Sequence, residues 1–130
     1  MKTLNVGIMG LGTVGGGTYT VLTRNASEIT RRTGVQINVV MVADRNIDHA
    51  KTVTDGNVTV TGDALEVVNN PEVDVVVELI GGYTLSKELV LKAIANGKHV
   101  VTANKALLAL HGNEIFSAAQ AKGVIVAFEA

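Results

Sequence analysis

Short runs rich in valine and isoleucine alternate along this chain with longer amphipathic stretches. Runs at 4–9, 35–43, 58–61, 73–79, 99–102 and 124–128 read as strands. Helices are expected over 14–33, 63–70, 86–96 and 105–122. Gly34, Gly97 and Gly123 stand where C-terminal caps belong, and Asp63 stands near a helix N-terminus, where negative charge is favoured. Leu89, Val90, Ala93 and Ile94 recur at helical spacing. Pro71, the only proline, marks a break before the fourth strand. The polar stretch 45–57 fits either a short helix or a loop. Strands separated by helical crossovers run parallel and need helices over both faces. The expected fold class is therefore α/β, a doubly wound, mainly parallel sheet flanked by helices, with residues 1–130 forming one domain.

Composition narrows the function. A hydrophobic fraction of 47% against 18% charged residues excludes a disordered chain. A net charge of -1 carries no basic excess, so no nucleic-acid partner is expected. Without cysteine there is no disulfide scaffold, zinc–thiolate site, iron–sulfur cluster or thiol catalysis. A reducing compartment fits, and a cytoplasmic location is expected. Residues 3–23 are uncharged and loosely mimic a membrane span, but six glycines among them suit a strand and tight turn better, so no membrane partner is expected.

The strongest local signal is Gly10-Leu11-Gly12-Thr13-Val14-Gly15. The GxGxxG pattern is weak alone and gains meaning between a strand and a helix. Gly10 allows the sharp turn, Gly12 lets a pyrophosphate approach the backbone, and Gly15 lets helix and strand pack closely. The helix N-terminus offers amides and a positive dipole to phosphates. This is a Rossmann-type nucleotide reading. The second strand ends at Asp44-Arg45. An acid there suits the ribose hydroxyls of NAD, and an arginine suits the 2′-phosphate of NADP, so the choice stays open. A solvated ion pair is the structural alternative. Asp44 lies 29 residues past Gly15, a gap that the long first helix explains.

Other polar residues follow strand ends: Gly81-Gly82, then Thr102, Asn104 and Lys105, then Glu129. In an open parallel sheet these positions share the ligand-binding edge. Gly81 and Gly82 would let the chain pass close to a cofactor, or would form a plain loop. Lys105 opens a helix, where a cation opposes the dipole. It is a candidate for contacting a substrate oxygen, with an exposed surface lysine as the alternative. Glu78, near the end of a buried strand, reads as a core carboxylate with a partner. His49, His99 and His111 lack ligand spacing and read as solvated or packed. No serine sits in a nucleophile elbow, and no Walker lysine follows the glycine loop.

The segments VGIMGLGTVGGG (6–17), PEVDVVVELIGG (71–82), GKHVVTANKALLALHG (97–112) and FEA (128–130) carry a family resemblance. Over essentially all 130 residues the chain resembles the N-terminal, nucleotide-binding domain of homoserine dehydrogenases. The glycine loop is generic to dinucleotide enzymes, whereas VVTANKALLA is far more specific. The resemblance implies interconversion of L-homoserine and L-aspartate 4-semialdehyde with NAD(H) or NADP(H), on the route to threonine, methionine and isoleucine. It implies that Leu11, Gly12, Thr13 and Val14 hold the pyrophosphate and that Lys105 lies near nicotinamide and substrate. Glu129 matches a glutamate that begins a sodium-binding loop. The substrate carboxylates, a second lysine and the sheet that makes the parent a homo-oligomer belong to a following domain. The chain accordingly reads as an N-terminal fragment, inactive alone. Two alternatives remain at this point: a non-catalytic NAD(P)-binding module, and another dehydrogenase with a similar first domain, such as a sugar or imine oxidoreductase.

Overall fold

In a computed structural model of the chain, the structure describes residues 2–11, 20, 31, 34–56, 58–80 and 84–128. Among them are strands β1 (Lys2–Met9), β2 (Val35–Ala43), β3 (Thr59–Thr61), β4 (Val75–Glu78), β5 (His99–Thr102) and β6 (Val126–Phe128). The helices described are α1 (Ile47–Thr54), α2 (Ala64–Asn69), α3 (Thr84–Ala95) and α4 (Lys105–Lys122). The strands form one six-stranded sheet in the order β3-β2-β1-β4-β5-β6. Every neighbouring pair is parallel.

The open stretch 45–57 resolves as helix α1. Asn46 caps it by accepting a hydrogen bond from the His49 amide, and Asp55 ends it in a left-handed conformation at φ 54°. Its buried side is only Ala50 and Thr54, too thin a stripe to stand out in sequence. The helix supplies the crossover that the parallel β2–β3 pair requires. The expected helix over 14–33 lies almost wholly outside the described residues. Strand β1 begins two residues before its apolar run, whereas β4 and β6 begin two residues after theirs, because turns claim the flanking amides. Val73 N–H donates to Asn70 O in the turn at Pro71, and Val124 N–H donates to Ala119 O at the end of α4. No helix among the described residues is long and apolar enough to cross a membrane.

Alternation along the strands divides the core between the two faces of the sheet. Val6, Ile8, Val42 and Val77 pack on one face with Leu11 and with Ala50 of α1. Met9, Val76 and Val100 pack on the other, under Val67, Leu89, Val90 and Leu107 of α2, α3 and α4. Each fully buried aliphatic side chain contributes about 1.5–3 kcal/mol. On the second face, β1 presents Gly7 to α2. A Cβ there would lie 2.6 Å from Val67 Cγ1, so the helix sits where only glycine allows. At the opposite end of the sheet from the glycine loop, the buried Lys98 ammonium donates to Asn70 O at 2.5 Å and Val73 O at 2.7 Å. Burial pushes the Lys98 pKa below its ordinary 10.5, and the nearby Asp74 carboxylate partly offsets this.

Candidate functional site

The strand order reverses at β1, with β2 and β3 on one side and β4, β5 and β6 on the other. A crevice opens outside the carboxyl ends of the strands at such a reversal. Here Gly10 makes the turn out of β1 at φ +96°, and its amide donates to Ala43 O at 2.8 Å. A Cβ on Gly10 would lie 3.0 Å from Leu79 O, so the loop and the end of β4 approach as closely as glycine permits. Leu11 is buried. Its amide donates to Asp44 Oδ2 at 2.6 Å, and its carbonyl lies 2.8 Å from His49 Nε2. The other Asp44 oxygen accepts from the Asn46 amide at 2.8 Å. Asp44 therefore ties the start of the glycine loop to the end of β2 and to the cap of α1.

A cleft of about 860 Å³ lies over this edge, lined among others by Gly10, Asp44, Arg45, Asp63, Ile80 and Thr84. That volume falls within the range of small-molecule and cofactor sites, about 300–1,000 Å³. Arg45 is exposed at the cleft. Asp63 caps α2 through the Leu65 amide at 2.9 Å and adds a carboxylate to the lining. Sequence reading assigned Asp63 only to a helix end. Its position two residues past the end of β3 is the signal that it also borders the cleft.

A second cluster lies where β4 and β5 end. Glu78 is fully buried. Its Oε1 accepts from the Ile80 amide at 3.0 Å and from Ser86 Oγ at 3.0 Å. Its Oε2 accepts from Thr102 Oγ1 at 2.6 Å. Thr102 Oγ1 in turn accepts from the Asn104 amide at 3.0 Å. Asn104 caps α4 by accepting from the Leu107 amide at 3.0 Å. Lys105, exposed, is the first residue of that helix. The partner expected for Glu78 is thus three groups, all uncharged.

The family model for the NAD-binding domain of homoserine dehydrogenase matches residues 10–129. The chain belongs to the homoserine dehydrogenase family. It is 65% identical over 130 residues to the homoserine dehydrogenase of Pseudomonas aeruginosa, covering all of this chain and 30% of that enzyme. It is 52% identical to that of Neisseria gonorrhoeae, again over the whole chain and 30% of the enzyme. The solved homoserine dehydrogenase of Thiobacillus denitrificans superposes with a TM-score of 0.92 at 62% identity, over 98% of this chain and 30% of that one. The chain thus spans about 30% of the length of these relatives and corresponds to their NAD-binding domain.

Of the residues singled out in the sequence, Gly10, Leu11, Asp44 and Arg45 gather at the cleft side of the edge. Thr102, Asn104 and Lys105 gather at the β5–α4 junction. Gly12, Thr13, Val14, Gly15, Gly81, Gly82 and Glu129 lie outside the described residues. Among the described residues no group of three or more histidines and carboxylates could hold a metal ion. His49 bonds the glycine-loop carbonyl, and His99 Nδ1 accepts from the Ile125 amide at 3.0 Å.

Proposed function

We propose that this domain binds NAD(H) or NADP(H) within a longer enzyme that interconverts L-homoserine and L-aspartate 4-semialdehyde. The observation that carries the reading is the Gly10 turn at the sheet reversal, pressed against Leu79 and opening on Asp44. The nicotinamide, when bound, supplies or takes up the hydride. The chain's own part is to bind, orient and stabilise charge. Gly10 keeps the approach to the backbone free of a side chain. The Asp44 carboxylate offers about four lone-pair sites. Two accept from the Leu11 and Asn46 amides, which leaves sites for ribose hydroxyls. Arg45 supplies a guanidinium for a 2′-phosphate, so both dinucleotides have a partner here. The Leu11–Val14 amides would cradle the pyrophosphate, and Gly81 and Gly82 would let the chain pass beside the cofactor.

Lys105 is the cation placed to stabilise negative charge developing on the reacting oxygen. The substrate carboxylates and the proton donor belong to the part of the enzyme beyond this domain. So do the contacts that would make the parent a homo-oligomer. Glu129 would begin a sodium-binding loop completed there. In metabolism the reaction serves threonine, methionine and isoleucine synthesis.

Calorimetric titration of the chain with NAD(H) and NADP(H), beside an assay of homoserine oxidation by the chain and by the full-length enzyme, tests the reading. Binding by both and turnover by the full-length enzyme alone is expected. No heat at millimolar dinucleotide from folded chain overturns the binding role. Turnover by the isolated chain overturns the assignment of substrate groups to the missing part. Wild-type turnover in a full-length Lys105→Ala variant removes Lys105 from the chemistry.

A further inference from the structure

We propose that Glu78 is a positioning residue for Lys105, acting through Thr102 and Asn104; the proposal rests on the reading of Lys105 as the active-site cation. A fully buried carboxylate is costly to desolvate and is kept only where hydrogen bonds compensate it. Apolar neighbours would serve stability better, since Val76 and Val100 precede Glu78 and Thr102 on the same face of their strands. Glu78 instead collects donors from three separate segments of the functional edge. These are the Ile80 amide just before Gly81-Gly82, the Ser86 hydroxyl in the first turn of α3, and the Thr102 hydroxyl at the last rung of β5. Glu78 and Thr102 are register partners, so the strands themselves hold the pair in place.

The direction of the hydrogens carries the argument. The Thr102 hydroxyl has one proton and two lone pairs. Donating that proton to Glu78 turns its lone pairs toward the Asn104 amide. This fixes the backbone of the residue whose side chain caps α4, and Lys105 follows it directly. In Glu78→Gln the amide oxygen belongs opposite the Ile80 and Ser86 donors, so an NH2 faces Thr102; this reverses that bond, turns the hydroxyl proton away, loosens the Asn104 amide and shifts the first turn of α4. Lys105 is exposed, so its place at the edge is set through its backbone, directly after the Asn104 cap. A displacement of about 1 Å in a reacting group can lower a rate on the order of a hundredfold.

The test is a double-mutant cycle in the full-length enzyme with Glu78→Gln, Lys105→Ala and the pair. Glu78→Gln is expected to lower kcat by about ten- to a hundredfold. The KM for dinucleotide and the dinucleotide Kd should change several-fold less than kcat, since Asp44 and Arg45 are untouched and Glu78 reaches the cleft lining through the Ile80 amide. On the Lys105→Ala background, Glu78→Gln should change the residual kcat by less than about twofold, because the group it positions is gone. A general distortion of the site would lower the rate on either background. Multiplying effects of the two substitutions, or a Glu78→Gln variant with wild-type kcat, overturn the proposal. If Glu78→Gln fails to fold, Thr102→Val takes its place in the same cycle. It removes the relay hydroxyl at nearly constant volume, and the same two outcomes decide. Wild-type kcat in Lys105→Ala alone overturns instead the reading of Lys105 itself, so the two failures are distinguishable.

Discussion

Replacing Gly10 by alanine should cost stability in two separable parts, and Gly97 supplies the control that separates them. Both glycines hold positive φ, +96° and +79°. At Gly97 a Cβ would meet nothing within 4 Å, whereas at Gly10 it would lie 3.0 Å from Leu79 O, 3.1 Å from Leu79 C and 3.2 Å from Ile80 N. Gly97→Ala therefore carries conformational strain alone, about 1–2 kcal/mol. Gly10→Ala carries similar strain plus a clash with backbone. No rotamer relieves that clash, because Leu79 N–H is itself bonded to Met9 O at 2.9 Å and Gly10 N–H to Ala43 O. Overpacking of this kind adds about 1–3 kcal/mol, for a total of about 2–5 kcal/mol. With a urea m-value of about 2 kcal/mol/M, the midpoint should fall by about 0.5–1 M for Gly97→Ala and about 1–2.5 M for Gly10→Ala. Repeating the urea titrations with NAD(H) at about 100 times its Kd tests function in the same experiment. Ligand at that excess stabilises a binding-competent chain by about 2.7 kcal/mol. Gly97→Ala should keep that increment and Gly10→Ala should lose most of it. Equal midpoint shifts for the two variants refute the close-approach argument. A full ligand increment in Gly10→Ala refutes the placement of the dinucleotide at this turn.

Arg45→Ala should weaken NADP(H) binding by about tenfold or more while leaving NAD(H) within about twofold, since a charge-assisted hydrogen bond contributes about 1.5–3 kcal/mol; equal loss for both dinucleotides in calorimetry contradicts this role. The lowered pKa of Lys98 means that the unfolded chain binds more protons than the folded one between that lowered value and 10.5. Stability should therefore rise with pH across that window as the cost of the buried ammonium is relieved. Lys98→Met should flatten the rise, and urea midpoints measured up to pH 10.5 that keep the same slope would count against the assignment. Gly7→Ala should destabilise by about 1–3 kcal/mol through the contact with Val67. Adding Val67→Ala should recover part of this, because the new methyl occupies space the valine vacates; strictly additive losses in thermal melts contradict the packing at that point.

The parts of the fold legible in sequence were those fixed by local chemistry. The runs at 35–43 and 99–102 coincide with β2 and β5, and α4 begins after Asn104 and ends at Gly123, as its caps dictate. Helix α1 was not legible, because its exposed residues Asp48, Lys51 and Thr52 suit a loop equally well. A tertiary requirement identifies it: β2 and β3 are parallel, and a parallel pair needs a crossover. The site follows the same division. Gly10 and Asp44 announce themselves by motif and strand end, but Leu11 bonding to Asp44 spans 33 residues and no periodicity encodes it.

Glu78 shows how far such reasoning reaches when parity is added. A carboxylate in a valine run is locally inconsistent with burial, so a partner is required. Counting by twos from Val76 and Val100 puts Glu78 and Thr102 on one face, and aligning β4 with β5 puts them on one rung. What the count cannot supply is the third dimension, the arrival of Ser86 from α3 above that rung. The sheet reversal at β1 has a related consequence. The cleft lies at the reversal, beside the ends of β1, β2 and β4, while the Glu78 cluster braces the neighbouring β4–β5 rung and the starts of α3 and α4. On the proposed function, binding and chemistry are served by adjacent gaps of one edge. Substitutions at Asp44 should act mainly on affinity, and substitutions at Glu78 mainly on turnover, although the Leu79 amide bonded to Met9 O joins the two gaps.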